Sequence, residues 1–346
     1  MDKQYEQEIH EGLECSYKLA KAKKNELHVS IEDVRLVLFS DLHRGVRDGA
    51  DDFWRCERAY CAALGYYLES GYSLILLGDA EELWECRPRS VVNAYRATLL
   101  LEAEFHKSNR YHRISGNHDD YWEEESGVRK LLGPLFGSNL TIRENMRIIF
   151  DQSQQPTGEI LVVHGHQGDY LCDRAGKFSK FFVRNFWRPF QRLTNIKSTT
   201  PASNHELRDD HGMAMYSWAE MKKGLLLIAG HTHKPVFESK DHAARIEAEL
   251  KQARAEGKST DAVAKYRAQL ELVKAQGREN KEGGFSMSKP CYFNTGCCSF
   301  SDGDVTGVEI ADQEIRLVRW PDDEGNPERK ILHKAKLRDV LDSVRS

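Results

Sequence analysis

The sequence predicts a layered α/β fold, and two observations support this prediction. Short apolar runs rich in β-branched residues recur along the chain and have the length of buried strands. Segments with the apolar spacing of amphipathic helices fall between several of these runs, at residues 53–69, 91–107 and 211–223. Strands and helices that alternate in this way pack as layers. The first six predicted strands are residues 34–40, 74–78, 111–116, 146–150, 160–164 and 225–230.

Three further apolar runs, at residues 291–296, 305–310 and 315–320, follow later in the chain. No helical pattern separates them, and strands joined by short connections pair in an antiparallel manner. We therefore expect these strands to complete a sheet as antiparallel neighbours. The domains we predict are an N-terminal helical extension at residues 1–30, a main domain at residues 31–320 and a C-terminal tail helix at residues 321–346.

Two segments within the main domain interrupt the alternation of strands and helices. Residues 177–193, with the sequence KFSKFFVRNFWRPFQRL, interleave aromatic and basic side chains, and we expect a lid-like insertion over residues 177–210. Residues 239–278 are rich in Ala, Glu, Lys, Arg and Gln, with a break at residues 257–261 that suits a turn. This pattern predicts an inserted helical hairpin over residues 239–282. Its apolar stripes either pack on each other or serve dimerisation or gating, so the oligomeric state stays open.

The composition is that of a folded globular protein without a charge bias. The 346 residues are 40% hydrophobic and 30% charged, with a formal net charge of -4. Such a chain has no general attraction for nucleic acid. The N-terminal region lacks the apolar run of a signal peptide, and no later stretch reaches the ~20 apolar residues of a membrane span. We expect a cytoplasmic protein with eight free cysteines, in which only the lid could touch a membrane surface.

Polar side chains of metal-binding type follow five of the predicted strands. The motifs, in chain order, are DLH at residues 41–43, GD at residues 78–79, GNHD at residues 116–119, HGH at residues 164–166 and GHTH at residues 230–233. Open α/β sheets bind their ligands at the carboxyl ends of the strands, so we expect the motifs to converge on one site. Mixed oxygen and imidazole ligation suits ions such as manganese, iron or zinc, and the absence of thiolates disfavours a soft-metal site.

The order of the motifs DLH, GDxxE, GNHD, HGH and GHTH resembles that of the calcineurin-like metallophosphoesterase superfamily, over about residues 34–235. The resemblance implies a layered α-β-β-α sandwich with two divalent cations at the strand ends. Manganese is the expected ion, and iron, zinc, nickel or magnesium are alternatives. The ligands implied by the resemblance are Asp41, His43 and His233 for the first ion, Asn117, His164 and His231 for the second, and Asp79 as the bridge between them.

The same resemblance indicates how these residues act on a phosphate ester. Two cations roughly 3.5 to 4 Å apart can share a water and lower its pKa, so that hydroxide attacks phosphorus in line. His118 matches the histidine of the family's GNH motif and is the implied general acid. Glu82, three residues after Asp79, would orient His118, although many family members have Asp at this position.

Two residues are candidates for contacts with the substrate. Arg44 directly follows the first motif, where it either holds a phosphate or is an exposed loop side chain without such a role. His166, the second histidine of HGH, either lies near the substrate or replaces His164 as a metal ligand. The family pattern favours His164 as the ligand.

The arrangement SDLH, GDxxELW and HGHxGD, followed by an aromatic and basic insertion, looks most like that of the UDP-2,3-diacylglucosamine pyrophosphohydrolases. Those enzymes usually have Arg where this chain has His118, and they lack the hairpin. The resemblance implies hydrolysis of a phosphodiester or pyrophosphate bond in a nucleotide-like or lipid-linked small molecule. The alternatives are a phosphomonoesterase or protein phosphatase on the same core, and a non-catalytic binding scaffold, which we would expect to have lost ligands.

Overall fold

The computed structural model describes residues 2–152, 155–167, 205–237, 287, 289–299, 303–322 and 325–345, together with the single residues 250, 254, 263, 264 and 267. The predicted hairpin at residues 239–282 lies outside the described residues apart from those single positions. The predicted lid at residues 177–210 also lies outside them, except for residues 205–210. Both remain predictions.

Two β-sheets form the centre of the described part of the chain. Their strands, in chain order, are β1 (Glu26–Ser30), β2 (Arg35–Phe39), β3 (Ser73–Leu77), β4 (Tyr111–Ile114), β5 (Ile142–Arg143), β6 (Asn145–Gln152), β7 (Gln155–Val163), β8 (Leu225–Ala229), β9 (Tyr292–Asn294), β10 (Val305–Ala311), β11 (Glu314–Trp320) and β12 (Lys330–Lys336). The first sheet has the order β1-β6-β7-β8-β9, and the second has the order β12-β11-β10-β2-β3-β4-β5. Each strand predicted from the sequence is present.

Helices cover the outer faces of these sheets. Those described are α1 (Lys3–Ala22), α2 (Phe53–Glu69), α3 (Pro88–Ala94), α4 (Arg96–Lys107), α5 (Glu125–Gly127), α6 (Gly133–Phe136), α7 (His205–Glu220) and α8 (Leu337–Ser343). The helix predicted at residues 53–69 is α2, and the one predicted at residues 91–107 is divided at Tyr95 into α3 and α4. None of the described helices is long and apolar enough to cross a bilayer.

Alternate side chains of strand β2 point to opposite sides of the second sheet. Leu36 and Leu38 pack toward the first sheet, whereas Val37 and Phe39 pack toward α2. The ring of Phe39 meets that of Tyr60 of α2 edge to face, with centroids 5.6 Å apart. Because successive side chains of a strand point to opposite faces, an apolar layer lies on each side of β2, as a sheet buried on both faces requires.

Helices α1 and α7 cover the other face of the first sheet. Ile9 and Leu13 of α1 are fully buried in the same core as Met215 and Trp218 of α7. The two helices contact each other, and they reach β6 and β8 respectively. The layers therefore follow the order helix, sheet, sheet, helix, and the predicted layered α/β sandwich is confirmed.

Three segments pair differently from the sequence-based prediction. Residues 26–30, expected in a helical extension, form β1 and pair in parallel with β6. The tail, expected as a helix, begins with β12, which pairs antiparallel to β11 before the short helix α8. Strand β9, expected as an antiparallel neighbour, pairs in parallel with β8. The sequence of β12, KILHKAK, resembles that of a surface helix because edge strands also expose charged side chains.

Candidate metal centre

The strand order brings the predicted ligands to one end of the sandwich. Strands β2, β3 and β4 are parallel neighbours in the second sheet, and β7 and β8 are parallel neighbours in the first. The five motifs follow the carboxyl ends of these five strands. Backbone hydrogen bonds then join adjacent loops, since His43 N–H donates to Asp79 O over 2.8 Å and Gly230 N–H donates to His164 O over 2.8 Å.

Five of the predicted ligands have an unusual backbone conformation. They lie in the left-handed region, with φ of 55° for Asp41, 49° for His43, 49° for Asp79, 68° for His231 and 56° for His233. Non-glycine residues seldom adopt this region, in which Asp, Asn and His are several-fold enriched. The conformation costs roughly 1–2 kcal/mol per residue. Strain of this kind persists where the surrounding structure enforces it, most often at functional sites.

Asp41, His43 and His233 form the first ligand group. His233 Nε2 lies 3.2 Å from Asp41 Oδ1 and 3.1 Å from His43 Nε2. Asp41 is fully buried, and its other oxygen, Oδ2, accepts hydrogen bonds from the Ser40 hydroxyl and the His231 N–H. Burial opposes ionisation of Asp41, but His233 and His43 outweigh it and hold the pKa of this carboxyl well below its usual range.

Asp79, His164 and His231 form the second ligand group. His164 Nδ1–H donates to Leu77 O over 2.7 Å, so in the neutral ring Nε2 carries the lone pair. Nε2 lies 3.1 Å from Asp79 Oδ2, so its lone pair faces that oxygen. Two acceptors in this position need a cation or a proton between them. Burial disfavours the imidazolium, but Asp79 and Asp41 outweigh it and raise the pKa of His164 to about 9. A metal ion bound here would take the place of that proton.

Two further observations fit a centre that holds two cations. Asp79 Oδ2 lies within 3.8 Å of His43 Nε2 in the first group as well as 3.1 Å from His164 Nε2 in the second, which suits a bridging carboxylate. Asn117 is only 5% exposed, and neither atom of its amide has a hydrogen-bond partner among the described residues. A buried polar group left in this state costs about 1–3 kcal/mol. A metal ligand role for the amide oxygen would remove part of that cost.

His118 and Glu82 lie directly beside the first ligand group. His118 Nδ1–H donates to Glu82 Oε2 over 2.6 Å, and the same oxygen lies 3.3 Å from His43 Nδ1. Burial acts against the ionised form of Glu82, but His118 and His43 hold its pKa well below the ordinary value. Because Nδ1 faces the carboxylate, Nε2 is the nitrogen of His118 through which a proton could reach a substrate. The side chain of His118 is 22% exposed, so a substrate can approach it.

Arg44 lies elsewhere, and the prediction that it contacts the substrate is wrong. Its side chain is fully buried. The guanidinium lies 2.6 Å from Glu102 Oε1 and 2.8 Å from Glu81 Oε1, and its Nε–H donates to Ala80 O. The attraction of these buried carboxylates turns Arg44 into the protein, and Glu102 belongs to α4, far from Arg44 in sequence.

Arg44, Glu81, Glu102, Arg113 and Asp119 together form a buried ion network behind the ligand loops. Arg113 pairs with both Glu81 and Asp119. Asp119 also accepts hydrogen bonds from Gly116 N–H over 2.6 Å and Ala80 N–H over 3.0 Å. The network therefore ties the loops after β2, β3 and β4 to one another. These bonds from backbone N–H groups are of the kind by which an Asp side chain stabilises a turn.

His166 and His211 complete the surroundings of the second ligand group. The ring of His166 lies 5.4 Å from that of His164, and its contact with a substrate stays a prediction. His211 of α7 was not singled out from the sequence. Its Nε2–H donates to Gly165 O over 2.7 Å, and its Nδ1 accepts a hydrogen bond from the Tyr5 hydroxyl of α1 over 2.7 Å. Burial lowers the pKa of His211 to about 4, so the ring stays neutral and supports the HGH loop.

Cys297 and Cys298, which follow strand β9, are only 2% and 0% exposed. Burial raises the pKa of both thiols well above the usual range, which leaves them protonated. Cys298 N–H donates to Asp41 O over 3.2 Å. Cys298 therefore supports the backbone of a predicted ligand, and neither thiol has the character of a reactive thiolate.

Comparison with known protein families shows which family the chain belongs to. Residues 34–235, more than half of the chain, match the profile of the calcineurin-like phosphoesterase family. This interval contains all seven predicted ligands and both predicted catalytic residues. A comparison with curated proteins gave no significant match.

Solved structures similar to this chain include three of the protein Vps29. A single mutant from Entamoeba histolytica is 11% identical, with 87% of this chain and 100% of that chain covered and a TM-score of 0.32. The wild-type protein from the same organism, complexed with zinc, is 11% identical, with coverage of 86% and 98% and a TM-score of 0.32. Vacuolar protein sorting 29 from Cryptosporidium parvum is 10% identical, with coverage of 88% and 98% and a TM-score of 0.31. Sequence identities and TM-scores as low as these carry no information on activity.

Proposed function

Because the chain belongs to the calcineurin-like phosphoesterase family, and is in coarse terms a metal-dependent phosphoesterase, we propose that it uses two divalent cations to hydrolyse a phosphodiester or pyrophosphate bond. The proposal is supported above all by one observation: Asp79 lies within 4 Å of imidazole nitrogens of both ligand groups. Two adjacent sites that share one carboxylate suit a pair of ions, and manganese is the ion we propose for both.

The chemistry of such a pair is to activate a water as nucleophile and to offset the charge that develops on the phosphoryl group. The residues of the chain supply the remaining functions. His118 protonates the oxygen of the leaving group through Nε2, because its Nδ1–H is held by Glu82. Glu82 also contacts His43 Nδ1 and so leaves Nε2 of His43 for the first ion.

A small molecule with a bulky leaving group is the substrate class we propose, either nucleotide-like or lipid-linked. The candidate general acid is partly exposed and has an aromatic neighbour in Trp84. The aromatic and basic sequence at residues 177–193 could bind the apolar and anionic parts of such a substrate. The pyrophosphohydrolases that this chain resembles usually have Arg at the position of His118. A histidine at this position favours proton transfer to a leaving oxygen, and hence hydrolysis of a wider range of esters than those enzymes accept.

Three variants test this proposal on bis(4-nitrophenyl) phosphate, 4-nitrophenyl phosphate and a nucleotide sugar. Asp79→Ala should abolish hydrolysis and lower the content of both ions, because it removes the shared carboxylate. His118→Ala should keep both ions and lower turnover by on the order of 100-fold or more, most for poor leaving groups. Asp342→Ala, on an exposed side chain, is the matched control and should change neither property.

Several outcomes would contradict the proposal. Full retention of one ion in Asp79→Ala would refute the bridging role of that carboxylate. Faster hydrolysis of the monoester than of the diester and the nucleotide sugar would favour a phosphomonoesterase. A protein that binds two ions and hydrolyses none of the three compounds would favour a binding scaffold.

A further inference from the structure

The indole of Trp84 lies flat against the imidazole of His118. The ring centroids are 4.1 Å apart and the planes are tilted by 19°, which is a stacked arrangement. Trp84 belongs to the loop after β3, two residues beyond Glu82. Trp84 is the last residue of the GDxxELW motif, but the sequence assigned it no role, because its partner lies on the neighbouring loop after β4.

His118 is held by three consecutive residues of that loop. The side chain of Glu82 binds its Nδ1 over 2.6 Å, the backbone N–H of Leu83 donates to its carbonyl oxygen over 3.1 Å, and the ring of Trp84 covers its face. Trp84 also acts on Glu82, because its backbone N–H donates to Glu82 Oε1 over 3.2 Å. The ring of His43 meets the His118 ring at 89° with centroids 4.7 Å apart.

These contacts restrain the imidazole in different ways. A hydrogen bond at Nδ1 fixes one atom but still allows the ring to turn about the axis of that bond, and the second side-chain torsion of His has a broad energy well. A flat ring stacked on the imidazole face removes this remaining rotation. An indole face attracts a neutral aromatic ring and also a cationic one, so the contact persists as the proton is gained and lost.

We propose that Trp84 is a positioning residue, which fixes the plane of His118 and thereby aims Nε2 at the leaving-group oxygen. The inference rests on the proposed role of His118 as general acid. Proton transfer requires donor and acceptor within hydrogen-bond reach, and a displacement of about 1 Å can reduce the rate by on the order of 100-fold. Trp84 should therefore act on the rate of the chemical step and leave the metal content unchanged.

A pair of Trp84 variants separates ring stacking from mere bulk. Trp84→Leu keeps an apolar side chain without a flat face, and it should lower kcat for a poor leaving group by at least about tenfold. Trp84→Phe keeps a flat ring and should retain most of the activity. Trp54→Leu is the matched control, because Trp54 is 51% exposed, and it should behave as the wild type. Both ions should be retained in all three variants.

A double variant tests whether Trp84 acts through His118. If it does, Trp84→Leu should cost nothing further in the His118→Ala background, where there is no imidazole to aim. A further loss of tenfold in that background would overturn the proposal. Equal rates for Trp84→Leu and Trp54→Leu would also overturn it.

Nuclear magnetic resonance of the zinc-loaded protein with labelled histidine gives a measurement that does not depend on activity. The ring protons of His118 should resonate upfield because they lie over an indole, and Trp84→Leu should remove this displacement, whereas Trp84→Phe should keep part of it. An unchanged resonance in Trp84→Leu would refute the stack. Wild-type turnover of His118→Ala would instead refute the proposed general acid, whatever Trp84 does, so the two failures can be told apart.

Discussion

Replacing Arg113 by methionine should destabilise the metal-free protein by about 3 kcal/mol. The guanidinium is buried and pairs with Glu81 and with Asp119. Removal of one member of a buried ion pair typically costs 3–5 kcal/mol, because the partner remains buried without compensation. We expect the lower end of this range, since Arg44 still lies 2.8 Å from Glu81 and backbone N–H groups still donate to Asp119. Methionine fills most of the space of the arginine stem, which keeps a cavity from adding to the loss.

The loss of unfolding free energy in Arg113→Met should also depend on pH. Burial by itself would raise the pKa of Glu81, but Arg113 and then Arg44 outweigh burial and lower the pKa below its ordinary value of 4.5. A carboxylate whose pKa is depressed by folding contributes stability above its unfolded pKa, and this contribution is lost as the pH falls through the folded pKa. The difference between wild type and Arg113→Met should therefore be largest near neutral pH and shrink as the pH falls to 4.5 and below.

Urea unfolding of the protein after its metal has been removed with a chelator, followed by circular dichroism at several pH values, measures both the loss of stability and its pH dependence. Arg129→Met is the control, because Arg129 is 67% exposed and lies 3.8 Å from Glu125. Such a surface pair contributes little, and the control should change the unfolding free energy by less than about 0.5 kcal/mol. A loss below about 1 kcal/mol in Arg113→Met, or a penalty that grows toward low pH, would refute the reasoning about the buried network.

Three further predictions follow from the ligand groups. His164→Ala should lower the occupancy of one ion and leave the other in place, which elemental analysis of the purified protein can measure; loss of both ions would contradict the separation into two groups. His233→Gly should be more stable than His233→Ala by about 1 kcal/mol in urea unfolding of the metal-free protein, since only glycine relieves the positive φ. His211→Gln keeps a donor toward Gly165 and should bind metal more tightly than His211→Leu; equal affinities in a chelator competition would show that this hydrogen bond does not support the HGH loop.

Much of the candidate site could be predicted from sequence because its signal is local. Each ligand of the first group, for example Asp41 or His233, lies within four residues of the end of an apolar strand, and the order of the motifs alone indicates that they converge. The strands were recognisable for the same reason, since buried strands of a layered fold are short and continuously apolar.

What could not be predicted depends on contacts between distant parts of the chain. Arg44 was expected at the surface, but its partner Glu102 lies 58 residues away on another element, and no local pattern reports that pairing. The stack of Trp84 on His118 requires that the loops after β3 and β4 be neighbours. Strand β1 becomes a strand only because β6, more than a hundred residues later, offers a free edge.

The contact of α1 with α7 has a consequence for synthesis on the ribosome. Helix α1 emerges well before α7, which begins at His205, yet Ile9 and Leu13 are covered by a layer that includes α7. At about 5–20 residues per second, the nascent helix waits on the order of 10–40 s for that partner. Its apolar stripe is exposed during this time and is a candidate for chaperone binding. The last predicted ligand, His233, emerges later still, so the first ligand group can be complete only after residue 233 has left the ribosome.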